Sequence, residues 1–329
     1  MNAPPRGPKA GQDYPQAWAQ FMDWFATDEA CSRYLERLRW RDGFVCPRCG
    51  NAAEPYRANR ARLMCRVCKH QCSVTAGTIF DKTRTPLRTW LAGAWYVTNQ
   101  KQGVSALGMQ RVLGLNSYET AWTMLHRFRR AMTRPGRERL KGDVEVDETY
   151  IAITDRINPP SREGRKRHTT DTLVAVAVEV VEPKGFGRVR FRRIPDDTER
   201  TVLPFIREEV EPGSTLHTDG SATYRSVTKH GYKHDRNVIL GSSTPAHISL
   251  PGVHRVASLV KRWILGTHHG AVQPDQLDYY LDEFAFRFNR RSSRSRGLLF
   301  YRLLEQAVIT PPVTYSDIAG GRSFSPSGR

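Results

Sequence analysis

The chain has 329 residues, enough for two or more domains with a sizeable core, and 39% hydrophobic with 10% aromatic content excludes a disordered protein. It carries 51 Lys and Arg against 33 Asp and Glu, a net charge of +18, which points to a polyanionic partner, with nucleic acid the commonest. No stretch approaches the roughly 18 uninterrupted apolar residues that span a bilayer. The opening MNAPPRGPKAGQ lacks the apolar segment of a signal peptide, so the sequence reads as intracellular, with reduced cysteines.

Residues 1–13 read as a disordered tail. Over residues 14–80, Trp18, Phe21 and Phe25, then Tyr34, Leu35 and Leu38, recur at helical spacing and predict two short helices, with Asp28 as N-cap of the second. They lead into CPRC at Cys46 and Cys49, followed after fifteen residues by CRVC at Cys65 and Cys68. Two such pairs supply four thiolates, the ligand count of a tetrahedral structural Zn²⁺, and the spacing reads as a zinc ribbon. Cys31 and Cys72 are left over and read as small buried apolar residues. Arg57, Arg60, Arg62, Arg66 and Lys69 surround the ribbon, either as a phosphate-facing knob or as a solvated basic face. So small a ribbon has almost no core, which suits a recognition or docking module rather than an enzyme.

Residues 81–141 read as helical. Leu87, Trp90, Leu91, Ala94 and Trp95 line one helix, and residues 105–113 form another. After a turn at Gly114, a longer amphipathic helix carries Tyr118, Ala121, Trp122, Leu125 and Phe128. Helix, short turn, helix is a form that can set its second helix in the major groove, here offering Ser117, Glu119, Thr120 and Thr123; an ordinary helical hairpin has the same pattern. Arg127, Arg129, Arg130, Arg134, Arg137, Arg139 and Lys141 follow as a basic run fit for phosphate contacts.

Residues 142–309 read as an α/β domain. In GDVEVDETYI, Val144 and Val146 alternate with Glu145 and Asp147, predicting a strand at the edge of a sheet that holds Asp147 in place. A basic loop over residues 161–170 separates it from the apolar strand LVAVAVEVV, which pairs through a turn at residues 183–185 with a third strand over residues 187–194. A helix over residues 201–210 and a fourth strand over residues 214–218, ending at Asp219, complete a mixed sheet. Its first and fourth strands can lie side by side and bring Asp147 to Asp219. Two carboxylates held close repel each other unless a divalent cation lies between them, and oxygen ligands suit Mg²⁺ or Mn²⁺. His254 and Lys261 follow, seven residues apart and so on one face of a helix over residues 254–265. Leu277, Tyr280, Leu281, Phe284 and Phe288 then read as the core side of a helix, with Arg287, Arg290, Arg291, Arg294 and Arg296 facing DNA. A short last helix around Leu303 follows. From Pro311 the composition turns to Pro, Gly and Ser, and residues 310–329 read as a disordered tail.

VEVDETYI, HTDGSATY, KRWILGTHHG and LDEFAFRFNRR together resemble the catalytic domain of bacterial insertion-sequence transposases of the DDE type, in the group with an amino-terminal zinc ribbon. The resemblance begins at RWRDGFVCPRCG, continues through GTIFDKTRTPLRTW, and runs to about Val308. It implies a ribonuclease-H-like fold and metal-dependent cleavage and strand transfer at the terminal inverted repeats of an insertion sequence. It further implies double-stranded DNA as partner, a homo-oligomer on DNA, and a bacterial cytoplasmic protein at the nucleoid. Carried over by position, Asp147 and Asp219 match the family's first two metal-binding aspartates, His254 stands where relatives have Asn or Glu, and Lys261 matches the family's lysine. An imidazole is a softer ligand than a carboxylate and favours Mn²⁺. The substitution therefore leaves a second expectation open, a catalytically inactive DNA-binding protein descended from a transposase.

Overall fold

The computed structural model describes residues 7–58, 62–154, 169–181, 185–236 and 250–320, and the chain divides into two units. One comprises Met1–Arg134 with Ser292–Asp317, the other Pro135–Arg291 with Ile318–Arg329. Arg60, the basic loop over residues 161–168 and most of the turn before Gly185 lie outside the described residues.

In the first unit, α1 (Trp18–Trp24) and α2 (Asp28–Arg39) are the two expected helices. Thr27, not Asp28, caps α2 by accepting from the Ala30 N–H; Asp28 instead accepts from the Leu87 and Arg88 N–H groups at the start of α3 (Leu87–Asn99). Either side chain can cap a helix, so composition does not choose between them. The ribbon adds three short antiparallel strands, β1 (Tyr56–Ala58), β2 (Arg62–Met64) and β3 (Gln71–Ser73), too brief to leave a sequence pattern. Cys31 and Cys72 are buried, as expected. Next, α4 (Ala106–Leu113) ends on Gly114, whose φ of +62° suits glycine, and α5 (Tyr118–Ala131) begins four residues later under a Ser117 cap. The helix-turn-helix connection is present, although Tyr118 is exposed rather than on the buried stripe.

The last long helix, α9 (Arg296–Ala307), belongs to this first unit rather than to the α/β unit in which the sequence placed it. Phe300 lies among Phe21, Phe25, Tyr34 and Trp95, with ring centroids 5.4 to 6.2 Å away. A Cβ at Gly297 would run into the Pro15 carbonyl oxygen, so glycine is required for this approach. Beyond it residues 310–320 are ordered where a loose tail was expected over residues 310–329, the rest of which lies outside the described residues: Val313 is buried, and α10 (Tyr315–Ala319) sets Tyr315 edge-on to Trp122. At the other end, Ala10 forms an isolated bridge with Tyr14, so residues 7–13 are also ordered.

The second unit is built on a five-stranded mixed sheet of order β6–β5–β4–β7–β8. Here β4 is Asp143–Thr154, β5 Thr169–Val181, β6 Gly185–Arg193, β7 Thr215–Thr218 and β8 Lys233–Arg236. β4 pairs antiparallel with β5 and parallel with β7, so it is central, not the edge strand that its alternating acids suggested. The alternation arises because both faces of β4 are covered by different partners. Val144 and Val146 enter a core with Val202, Phe205 and Ile206 of α6 (Glu199–Glu209). Glu145 faces the opposite layer, α7 (Pro251–His268), whose Val253 N–H it binds. In that layer α8 (Leu277–Phe288) packs Phe284 against Phe191 of β6, a core role as expected. β8, an all-polar edge strand parallel to β7, had no sequence signature. The mixed sheet flanked by helices is the ribonuclease-H-like arrangement.

Candidate functional site

The four ribbon thiols converge. Cys46 and Cys68 Sγ atoms lie 3.6 Å apart and those of Cys49 and Cys65 3.7 Å. All four fall within 4.8 Å of one another. A Zn–S bond of about 2.3 Å sets the sulfurs of a tetrahedron about 3.8 Å apart, so the set fits Zn²⁺. Two matched knuckles make it. Cys46 N–H donates to Asn51 O while Gly50 N–H returns to Cys46 O, and Cys65, His70 and Lys69 repeat the pattern. Gly50 has φ +70°, and Lys69 takes the same left-handed place at +58°. Tyr56 is exposed, with the Arg66 guanidinium 4.6 Å and the Lys69 ammonium 5.4 Å from its ring centre. Arg57, by contrast, is paired to Glu36 at 2.8 Å.

In the second unit, the parallel pairing of β4 with β7 sets Glu145 opposite His217, so Asp147 and Asp219 project from the same end of adjoining chains. Asp219 follows immediately on β7; its Oδ1 accepts from the Ser221 N–H at 2.9 Å, and Gly220 turns the chain at φ +85°. From α7, His254 brings Nε2 to 4.0 Å from Asp147 Oδ2. That separation is about twice a metal–ligand bond of roughly 2.1 Å, so one cation fits between the two atoms. Asp219 stands further out: among the described residues, only the four cysteines form a group of three or more potential ligands within 4.8 Å. Lys261 is exposed on α7, and neither it nor His254 lies on the helix's buried face of Val253, Val256, Val260 and Ile264.

Burial pushes the Asp147 carboxyl up to about 6, opposed by the Glu148 N–H and reinforced by the negative charges of Asp219 and Glu145. Burial likewise carries Glu148 up to about 7, although the Tyr224 hydroxyl donates to it at 2.6 Å; Asp147, Asp219 and Asp197 add to the rise. Glu145 is raised by burial, against the Val253 and Gly252 N–H groups that favour its charged form.

The arginines expected on DNA are mostly engaged within the protein. Arg129 is 1% exposed beside His126, so it packs rather than faces solvent. Arg127 donates to the Val313 and Ile79 carbonyls, and Arg287 makes two hydrogen bonds to buried Glu283. Arg290 lies over Phe286, and Arg291 over Phe288 while donating to the Gly187 carbonyl. Arg130 keeps partial exposure. The FNRR stretch has a structural task that sequence reading missed. Asn289 pairs with both the N–H and the carbonyl of Val189, in the place of a further strand on β6. Tyr224 and Gly252 were also missed; Tyr224 lies in HTDGSATY, five residues after Asp219, but nothing in that spacing marks it.

Residues 139–289 match the family described as the ISXO2-like transposase domain, a span that contains Asp147, Asp219, His254 and Lys261. Residues 26–71 match the transposase zinc-ribbon domain, which takes in all four ribbon cysteines and stops short of Cys72. An uncharacterized protein in transposable element ISH50 of Halobacterium salinarum is 26% identical over 279 residues, covering 80% of this chain and 91% of that protein. An uncharacterized transposase-like protein of Haemophilus influenzae is 23% identical over 116 residues, 35% of this chain and 93% of the relative. Among the described residues, no helix is long and apolar enough to cross a membrane.

Proposed function

We infer that this chain, which belongs to the insertion-sequence transposases with a zinc ribbon ahead of a ribonuclease-H-like domain, binds the terminal inverted repeats of such an element and catalyses metal-dependent cleavage and strand transfer of DNA of the DDE type. The observation that supports the reading is the approach of His254 on α7 to Asp147 on β4, with Asp219 at the end of the adjoining strand β7. Asp147, Asp219 and His254 would hold Mn²⁺ or Mg²⁺. When bound, such cations lower the pKa of water, make a 3′-hydroxyl a better nucleophile and neutralise charge at the attacked phosphate. The protein contributes placement. His254 presents Nε2 toward Asp147, the Ser221 N–H holds the Asp219 carboxylate, and the Tyr224 hydroxyl holds Glu148 on the other face of β4. Lys261 grips a phosphate near the element's end as a point charge. Arg130 and the Tyr56, Arg66 and Lys69 face of the ribbon add contacts to the backbone. One such site per chain makes a homo-oligomer the natural form for joining two DNA ends, in the cytoplasm at the nucleoid.

The test is nicking of a DNA fragment carrying the element's terminal repeats, with Mn²⁺ or Mg²⁺. Asp147→Asn should abolish nicking and leave DNA binding intact; equal cutting by the substituted protein would overturn the assignment. One observation favours a second reading, an inactive DNA-binding descendant. An imidazole stands where relatives have Asn or Glu, and the three expected ligands do not close to within 4.8 Å. A parent protein that binds the repeats and never nicks them with either ion would decide for it.

A further inference from the structure

The helix that carries His254 is docked onto the sheet through its first turn, and one buried carboxylate makes the contact. Glu145 is 4% exposed and points from β4 into the start of α7. Its Oε2 accepts from the Val253 N–H at 2.8 Å, and the neighbouring Gly252 N–H also favours its charged form. Both N–H groups belong to the first turn, where no intrahelical partner exists and where the positive end of the helix dipole favours an anion. No side chain within α7 itself supplies this cap. Gly252 permits the approach, since a Cβ there would lie 2.9 Å from Glu145 Oε2 and 3.0 Å from the Phe186 ring. Glu145 and Asp147 are two residues apart on one strand, so they project to the same face. Val253 and His254 are adjacent on one helical turn. A single rigid bracket therefore runs from Asp147 through Glu145 and Val253 to His254, and its far ends are the 4.0 Å pair.

We propose that Glu145 is a positioning residue of the site, fixing the first turn of α7 and with it the place of His254 against Asp147, and that Gly252 is required for this contact. The proposal rests on the reading of Asp147 and His254 as the cation-holding pair. Glu145 itself touches neither substrate nor cation. Its carboxylate is occupied by the first turn of α7, which separates its role from those of Asp147 and Asp219.

The experiment compares Glu145→Ala, Glu145→Gln and Gly252→Ala in the full chain, with Ile264→Ala as control. Ile264 is buried on α7 ten residues beyond His254, so its truncation weakens the helix's packing without touching the bracket. The first readout needs no cation and no DNA: the ring NMR signal of His254, assigned by its loss in His254→Gln, and its response to Asp147→Asn. In the parent and in Ile264→Ala, Asp147→Asn shifts that signal. In Glu145→Ala and Gly252→Ala the shift is expected to vanish, and exchange of the Val253 amide to speed up at least tenfold. Glu145→Gln, which keeps one oxygen acceptor at the same reach, should restore most of both. The second readout is Mn²⁺-dependent nicking per folded molecule, expected to fall at least tenfold in Glu145→Ala and Gly252→Ala and to stay near parental in Ile264→Ala. Persistence of the His254 response to Asp147→Asn in both Glu145→Ala and Gly252→Ala would overturn the proposal. So would a loss of nicking in Glu145→Ala no larger than its loss of folded protein. If the parent itself never nicks DNA, the enzymatic reading fails and the NMR response alone decides whether the bracket exists. Should Glu145→Ala fail to fold, Gly252→Ala and Glu145→Gln still give both answers.

Discussion

The Tyr224 hydroxyl donates a 2.6 Å hydrogen bond to Glu148 Oε1, tying the helical turn after Asp219 to the strand that carries Asp147. The tyrosine is fully buried in the core beneath the sheet, so the bond joins a packed ring to an acid at the margin of the site. The two chain segments that carry Asp147 and Asp219 are thereby linked twice, by β4–β7 pairing and by this side-chain bond.

Tyr224→Phe should test that second link. The ring still fills its place, but Glu148 loses its donor in a buried setting, at a cost of about 1–3 kcal/mol. Because the hydroxyl favours the charged carboxylate, the loss should be greater near pH 8 than near pH 5, read by urea denaturation at the two pH values. Equal stability of variant and parent at both would remove the bond from the account.

The raised acids predict an unusual response to pH. Asp147 at about 6 and Glu148 at about 7 bind protons more tightly in the folded protein than at their ordinary values of 3.8 and 4.5. Stability from these two groups is thus greatest in acid and falls as pH rises through about 6 and 7, by on the order of 2 kcal/mol for each carboxylate. The difference in unfolding free energy between parent and Glu148→Gln cancels the other titrating groups. It should move in favour of Glu148→Gln as pH rises from about 5 to 8, and Mn²⁺ should return part of the parent's loss.

Zinc should govern the ribbon and little else. Its apolar core is Phe44, Leu63 and three cysteines, with Trp40 alongside, far too small to hold itself together. Metal binding of this kind supplies about 10–16 kcal/mol. One Zn²⁺ per chain is expected. Cys65→Ser should lose it and weaken DNA binding, whereas Cys31→Ser and Cys72→Ser should retain it. Elemental analysis of the purified variants decides.

Arg129 and Arg130 are neighbours in sequence with opposite expected behaviour. Arg129→Ala removes a fully buried side chain and should cost about 2 kcal/mol or more of stability, leaving the salt dependence of DNA binding unchanged. Arg130→Ala should leave stability within about 0.5 kcal/mol and reduce the slope of log affinity against log salt by about 1. A reversed pair of results would mean that the helix presents its other face to DNA.

The difference between those two arginines shows where sequence reading stops. Apolar patterning located α5 and the long strand β5, because burial on a helix stripe or on both faces of a sheet leaves a period in the residues themselves. The same period places Arg129 on the buried side, but a run of four arginines over residues 127–134 drew attention to charge before position. The zinc site was fully legible, since both knuckles are local and their spacing encodes their geometry. That the strands carrying Asp147 and Asp219 adjoin was legible from strand order. The Glu145 contact to α7 was not, because it joins residues 108 positions apart and leaves no periodic trace. β8 was invisible for a related reason: four polar residues on an exposed edge need no apolar alternation.

The packing of Phe300 among Phe21, Phe25, Tyr34 and Trp95 has a consequence for biosynthesis. A ribosome completes the first unit's amino-terminal aromatic residues early, yet the ring that fills their centre emerges only after every strand of the sheet has been made. The amino-terminal helices therefore lack their central ring while the domain inserted in their unit is made, and a message truncated anywhere before Gly297 yields an amino-terminal fragment without it.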